Sequence, residues 1–109
     1  MPLSYKLLTS GLLTSGMGVI YNPSGDSKTL GYPKTWLVHN TNSSLSGDFK
    51  AYFGGSGAGN RIYSMSLEPN DTVLFEYNLM PIQSGKVIFG QTDVTGHNNI
   101  NYFIFGADE

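Results

Sequence analysis

From Thr35 onward the chain falls into short runs in which apolar and polar positions alternate: TWLVHN, DFKAYF, RIYSMSL, TVLFEYN, KVIFGQT and INYFIF. Each run is closed by a cluster of Gly, Asn, Asp, Pro or Ser. A period of two bounded by turn residues predicts β-strands, and no segment carries the longer period of an amphipathic helix. The first strand of this set, Thr35 to Asn40, places Trp36 and Val38 on one face and Leu37 and His39 on the other, which predicts a central strand. Phe49, Ala51 and Phe53 alternate with Lys50 and Tyr52; after a hairpin connection through Gly54 to Gly59, Tyr63, Met65 and Leu67 oppose Ser64 and Ser66. Beyond the turn Glu68-Pro69-Asn70-Asp71, Val73, Phe75 and Tyr77 oppose Leu74 and Glu76. A turn over Gln83 to Lys86 introduces a strand over Val87 to Gln91, and Asp93 to Asn99 turns the chain into a last strand, Ile100 to Phe105.

The N-terminal region adds a short strand at Gly18 to Tyr21 and a turn at Asn22-Pro23-Ser24-Gly25-Asp26. Before them stands a tandem pentapeptide, Leu-Leu-Thr-Ser-Gly at Leu7 to Gly11 and again at Leu12 to Gly16. Its paired leucines need burial. Residues 1–17 are therefore either an arm that lies on a neighbouring subunit through Leu7, Leu8, Leu12 and Leu13, or the first edge strand of the domain. Residues 18–109 form the domain itself, expected as a single antiparallel β-sandwich of seven or eight strands, jelly-roll-like.

Size supports one core, because a chain of 109 residues buries roughly two-thirds of its unfolded surface. Cysteine is absent, which removes disulfides, thiolate chemistry and cysteine-based zinc sites. A net charge of -2 without any Lys/Arg run leaves no footprint for nucleic acid. The longest apolar run falls far short of the roughly 18 residues that span a bilayer, and the first residues lack the apolar core of a leader, so a soluble, untargeted protein is expected. Charged residues are only 13% of the chain, well below the usual quarter, while Ser, Thr, Asn and Gly make up about two-fifths. An uncharged polar surface of this kind suits stable contact with other subunits; it also follows from an abundance of turns.

Candidate chemistry is sparse. The two histidines, His39 in a strand and His97 in a turn, have no visible partners, and structural roles are expected for both. No serine lies in a G-x-S-x-G elbow. Gly55-Ser56-Gly57-Ala58-Gly59-Asn60 lacks the Lys-Ser/Thr ending and the following helix of a phosphate loop. Asn42-Ser43-Ser44 and Asn70-Asp71-Thr72 fit the glycosylation pattern in a chain rich in these residues. Glu68, Asp71 and Glu76 are the nearest carboxylates in sequence, at turn and surface positions where solvation is their ordinary state. No catalytic, cofactor or metal site is expected, and the protein is expected not to be an enzyme. Aromatics are 13% of the chain and mostly at core spacing, which leaves Tyr52, Tyr63 and Tyr102 as candidate surface rings for carbohydrate stacking.

Val19-Ile20-Tyr21, Trp36 to Thr41, Leu67-Glu68-Pro69-Asn70-Asp71-Thr72, Met80-Pro81-Ile82, Ser84-Gly85-Lys86-Val87-Ile88 and Glu109 follow one another in a layout that resembles a group of small virion proteins of tailed bacteriophages. The resemblance covers most of the chain and implies a β-sandwich that acts mechanically, as a capsid decoration (cement) protein held by subunit contacts. It implies location in the virion, the major capsid or tail proteins as partners, and a homo-oligomer, with a trimer favoured. A tail accessory component, or a carbohydrate- or receptor-binding module, is the alternative. The leucine arm has no counterpart in that layout.

Overall fold

In a computed structural model the described residues are 5–23, 30–55, 57–76, 82–83 and 86–109. They hold nine strands: β1 Lys6–Leu12, β2 Gly18–Tyr21, β3 Leu30–Asn40, β4 Gly47–Phe53, β5 Arg61–Leu67, β6 Thr72–Glu76, β7 Ile82–Gln83, β8 Ile88–Gln91 and β9 Ile100–Asp108. Two antiparallel sheets result, one in the order β1-β9-β3-β6 with β7 attached to β3, the other β2-β8-β4-β5. Leaving out the two-residue β7, the first strand pairs with the last, the second with the last but one, and so inward to β4 with β5. That nesting is a long hairpin rolled on itself, the jelly roll.

The core lies between the sheets. Trp36, Val38, Ile100 and Ile104 from one sheet meet Phe49, Ala51, Leu67 and Ile88 from the other, all fully buried. Trp36 stands edge-on to Phe49 at 6.1 Å and packs against Tyr63 at 5.4 Å and Phe75 at 5.5 Å. Its indole N–H donates to the Pro33 carbonyl at 3.2 Å, so the polar end of the largest core side chain is satisfied.

Two elements extend beyond the sequence expectation. β3 begins at Leu30, not Thr35, because Pro33 sits beside a register shift against β9 where its missing N–H breaks no ladder bond. Gly106 makes the close approach possible there: a Cβ on it would stand 1.9 Å from the Tyr32 carbonyl oxygen. β9 correspondingly runs on to Asp108. Gln83, expected in a turn, belongs to β7. The expected turn at Ser24 to Asp26, the strand end at Tyr77 and Asn78, the bend at Met80-Pro81, and Ser56, Ser84 and Gly85 lie outside the described residues.

The leucine-rich segment is an edge strand of the chain's own sheet. β1 pairs with β9 from Lys6↔Gly106 to Leu12↔Asn101, with a register shift between Leu7 and Thr9. That shift has a consequence for the pentapeptide. Five is odd, so in a regular strand equivalent repeat positions would point to opposite faces. One extra residue in the bulge restores phase: Leu8 packs against the core and Leu13 is 2% exposed, while Leu7 and Leu12 both face outward at 48% and 52%. Leu13 is further held by backbone bonds, donating to the Ile100 carbonyl at 2.8 Å and accepting from the Asn98 N–H at 2.9 Å.

Candidate functional site: an apolar outer sheet face

Because Trp36, Val38 and Asn40 point inward, Thr35, Leu37 and His39 stand on the outer side of β3, and residues opposite them in register share that side. Three rows cross the sheet. The middle row is Ser10, Phe103, Leu37 and Leu74; the row on one side is Leu7, Phe105, Thr35 and Glu76; that on the other is Leu12, Asn101, His39 and Thr72. Leu74 is 64% exposed, and Leu37, Phe103 and Phe105 are partly so. Tyr5, 62% exposed, leans onto the same face, its hydroxyl donating to Thr35 Oγ1. His39 shares a 2.7 Å hydrogen bond between Nδ1 and Thr72 Oγ1 at the polar border.

The other sheet is built differently. Its outward positions are mixed: Asp48, Lys50, Ser64, Ser66 and Gln91 at one end, with Lys50 and Asp48 paired at 3.2 Å, and the register row Val19, Phe89 and Tyr52 at the other. One outer face is therefore polar over much of its area, while the three rows of the opposite one carry six leucine and phenylalanine side chains and a single carboxylate, Glu76, with the exposed Lys34 in the β3 bulge beside Thr35. A sheet with apolar residues on both faces is the pattern of a strand layer covered on both sides.

The four leucines of the N-terminal segment are thus divided, Leu7 and Leu12 on the outer face and Leu8 and Leu13 in the core. The expected surface rings are corrected. Tyr52 is buried at 6% beside its register partners Phe89 and Arg61, and Tyr102 at 8% lies under Gly11, where a Cβ would stand 2.8 Å from its hydroxyl. Tyr63 is half-buried in the ring cluster, 4.7 Å from Phe75. Among the described residues Tyr5 is the exposed tyrosine, which sequence reasoning missed because nothing in the residues around it sets a strand period.

Burial raises the Tyr63 and Tyr102 phenols above their ordinary value of 10.0 by penalising the phenolate, and the hydrogen bond to Glu109 leads the upward shift of Tyr32. A raised folded-state value means that the unfolded chain loses its protons first. Stability is then full below about pH 10 and falls as pH rises further. Urea melts are expected to shift to lower midpoints between about pH 8 and about pH 11, alongside phenolate absorbance that appears together with unfolding.

The remaining polar groups serve the loops. Ser15 and His97 form the Ser–His juxtaposition, Oγ to Nδ1 at 3.3 Å, but the Ser15 backbone N–H already donates to that nitrogen at 2.9 Å. With its lone pair so engaged, Nδ1 does not accept the hydroxyl proton, and the pair is a loop clamp joined by Gln91 Nε2 donating to the Ser15 carbonyl. Asn42 Oδ1 accepts from the Ser44 and Leu45 N–H groups, and Asn70 takes a positive φ of 59°, so both glycosylation-pattern asparagines shape turns. Gly54, at φ 76°, opens the β4–β5 connection, which ends in a 3-10 turn over Ala58–Asn60. Glu68, Asp71 and Glu76 hold turn and strand-end positions. Among the described residues, no three His, Asp or Glu side chains gather as metal ligands, and no helix is long and apolar enough to cross a membrane.

No protein-family model and no curated protein matches the chain. Among solved structures, the chain is similar to Peruvianin-I, a cysteine peptidase from Thevetia peruviana latex, at 18% identity with a TM-score of 0.37. The match covers 96% of this chain and spans 61% of that one.

Proposed function

We propose that the protein is a non-enzymatic structural component of a tailed-bacteriophage virion, a capsid decoration protein that works as a homo-oligomer through subunit contacts with the major capsid protein. The observation that carries this reading is the apolar, sparsely charged outer face around Leu37, Phe103 and Leu74. A protein that binds small molecules concentrates its apolar surface in a cavity with a few convergent polar groups, whereas a flat exposed face of this kind gains by being covered by protein. The low charge of the whole chain and the phage-like layout of its turns point the same way. Fold alone does not choose, since jelly rolls serve as capsid subunits, lectins and cupins alike.

Quantitative mass spectrometry of purified particles tests the reading. The chain is expected in many copies per virion, and its absence from particles overturns the proposal. A tail accessory role makes the same use of the face and differs only in where the copies sit on the particle. Tyr5 favours the second reading, a carbohydrate- or receptor-binding module, because it presents an exposed ring held in place by Thr35. On that reading a glycan array gives a signal that Tyr5→Ala abolishes.

A further inference from the structure

We infer that the outer face of the five-stranded sheet is closed by the same face of a second copy, sheet on sheet about a two-fold axis. The inference rests on the reading of that face as an assembly surface and names its occupant. Charge is the first argument. In a two-fold contact each side chain meets the environment of its own twin, so a face carrying several like charges repels itself. Here Glu76, on the edge strand β6, is the one fixed charge among the twelve outward positions, and it lies at a corner. Recognition of a different protein draws on several complementary charges to fix register and reject wrong partners; this face offers only Glu76 at its corner and the exposed Lys34 in the bulge beside Thr35, so two copies meet with little penalty.

Shape is the second argument. Two copies of one twisted sheet have the same twist and pack aligned, as the two sheets of a sandwich do. The middle row, with Phe103 and Leu37 at its centre, then lies against its own counterpart, and the polar residues Thr72, His39 and Asn101 fall on the border. Four strands spaced by about 4.8 Å and about six residues rising about 3.4 Å each give a footprint of roughly 400 Å² per copy. With the relief of the side chains and the Tyr5 ring, two copies bury on the order of 1,000 Å² in total, the lower end for a specific interface. The contact is accordingly a reversible dimer in micromolar protein.

Sedimentation equilibrium of the isolated full chain tests the inference. Wild type is expected to be dimeric at about 100 μM and to dissociate on dilution. Leu74→Lys, at a position exposed in the single chain, and Leu37→Lys, at the centre, are expected to remain folded monomers at that concentration. Val94→Lys is the control: it changes an 84%-exposed apolar residue on the turn between β8 and β9, away from the face, and is expected to stay dimeric. A wild-type monomer at about 1 mM, a trimer, or a Leu74→Lys protein that dimerises like wild type overturns the proposal. Presence in the virion is read separately by mass spectrometry, so self-contact and particle location stand or fall independently.

Discussion

Deletion of residues 1–16 is expected to abolish the cooperative melting transition. The segment supplies β1, which covers one side of β9, and it supplies two core side chains, Leu8 and Leu13. Fully burying a leucine is worth about 1.5–3 kcal/mol, so Leu13 contributes about that much and the half-buried Leu8 part of as much again, against about 5–15 kcal/mol for the net stability of a whole domain. The loss goes further, because Tyr102, Ile104 and Ile100 lie along the strand that β1 covers, and Thr14 and Ser15 anchor the following link through the Thr92 N–H and the Gln91 side chain. Leu13→Ala alone is expected to cost about 2–5 kcal/mol. Thermal scans of the truncated and substituted proteins check both. A truncated chain that melts cooperatively near the wild-type temperature would mean that the leucines serve a neighbour and not this core.

The division of those leucines shows where sequence reasoning stops. Alternation told inside from outside wherever polar residues marked one face, as in Tyr63, Met65 and Leu67 against Ser64 and Ser66, and the structure follows it. In β9 both faces are apolar, Ile100, Tyr102 and Ile104 against Phe103 and Phe105, so a period of two carries no sign of which side is buried. The outer face became visible only when pairing set Phe103 beside Leu37 and Leu37 beside Leu74, residues far apart in the chain. The bulge after Leu7 is likewise a property of the β1–β9 pair, not of the pentapeptide. The alternation marks the strand only from Thr35, yet β9 supplies the bulge and Gly106 the space that let it run through Pro33 from Leu30. Tyr52 was placed on the surface by its alternation with Phe49 and Ala51, and its neighbours across the sheet bury it all the same.

Asn40 is the second position with a large expected effect, and it distinguishes a polar knot from simple packing. Its side chain is fully buried at the end of β3. Nδ2 donates toward three carbonyls, Leu45 at 3.0 Å and Leu67 and Glu68 each at 3.2 Å, while Oδ1 accepts from the Asn42 N–H at 3.0 Å. One amide thus fastens the loop after β3 to the β5–β6 turn. Asn40→Asp keeps the shape and removes the donors, setting a carboxyl group against three carbonyl oxygens, which is expected to cost about 3 kcal/mol or more at neutral pH. Burial against three carbonyl oxygens, with the Asn42 N–H as its one remaining donor, raises the pKa of the introduced carboxyl above its unfolded value of about 3.9. Because the folded-state value is raised, the unfolded chain ionises first, and stability falls as pH climbs above about 4. The deficit relative to wild type is therefore expected to be smaller at about pH 4 than at about pH 7, where Asn40→Leu, with no proton to lose, shows a deficit nearly independent of pH. Urea unfolding of the three proteins at both pH values checks this. Equal deficits for Asn40→Asp at the two pH values would mean that the amide fills space without satisfying the carbonyls around it.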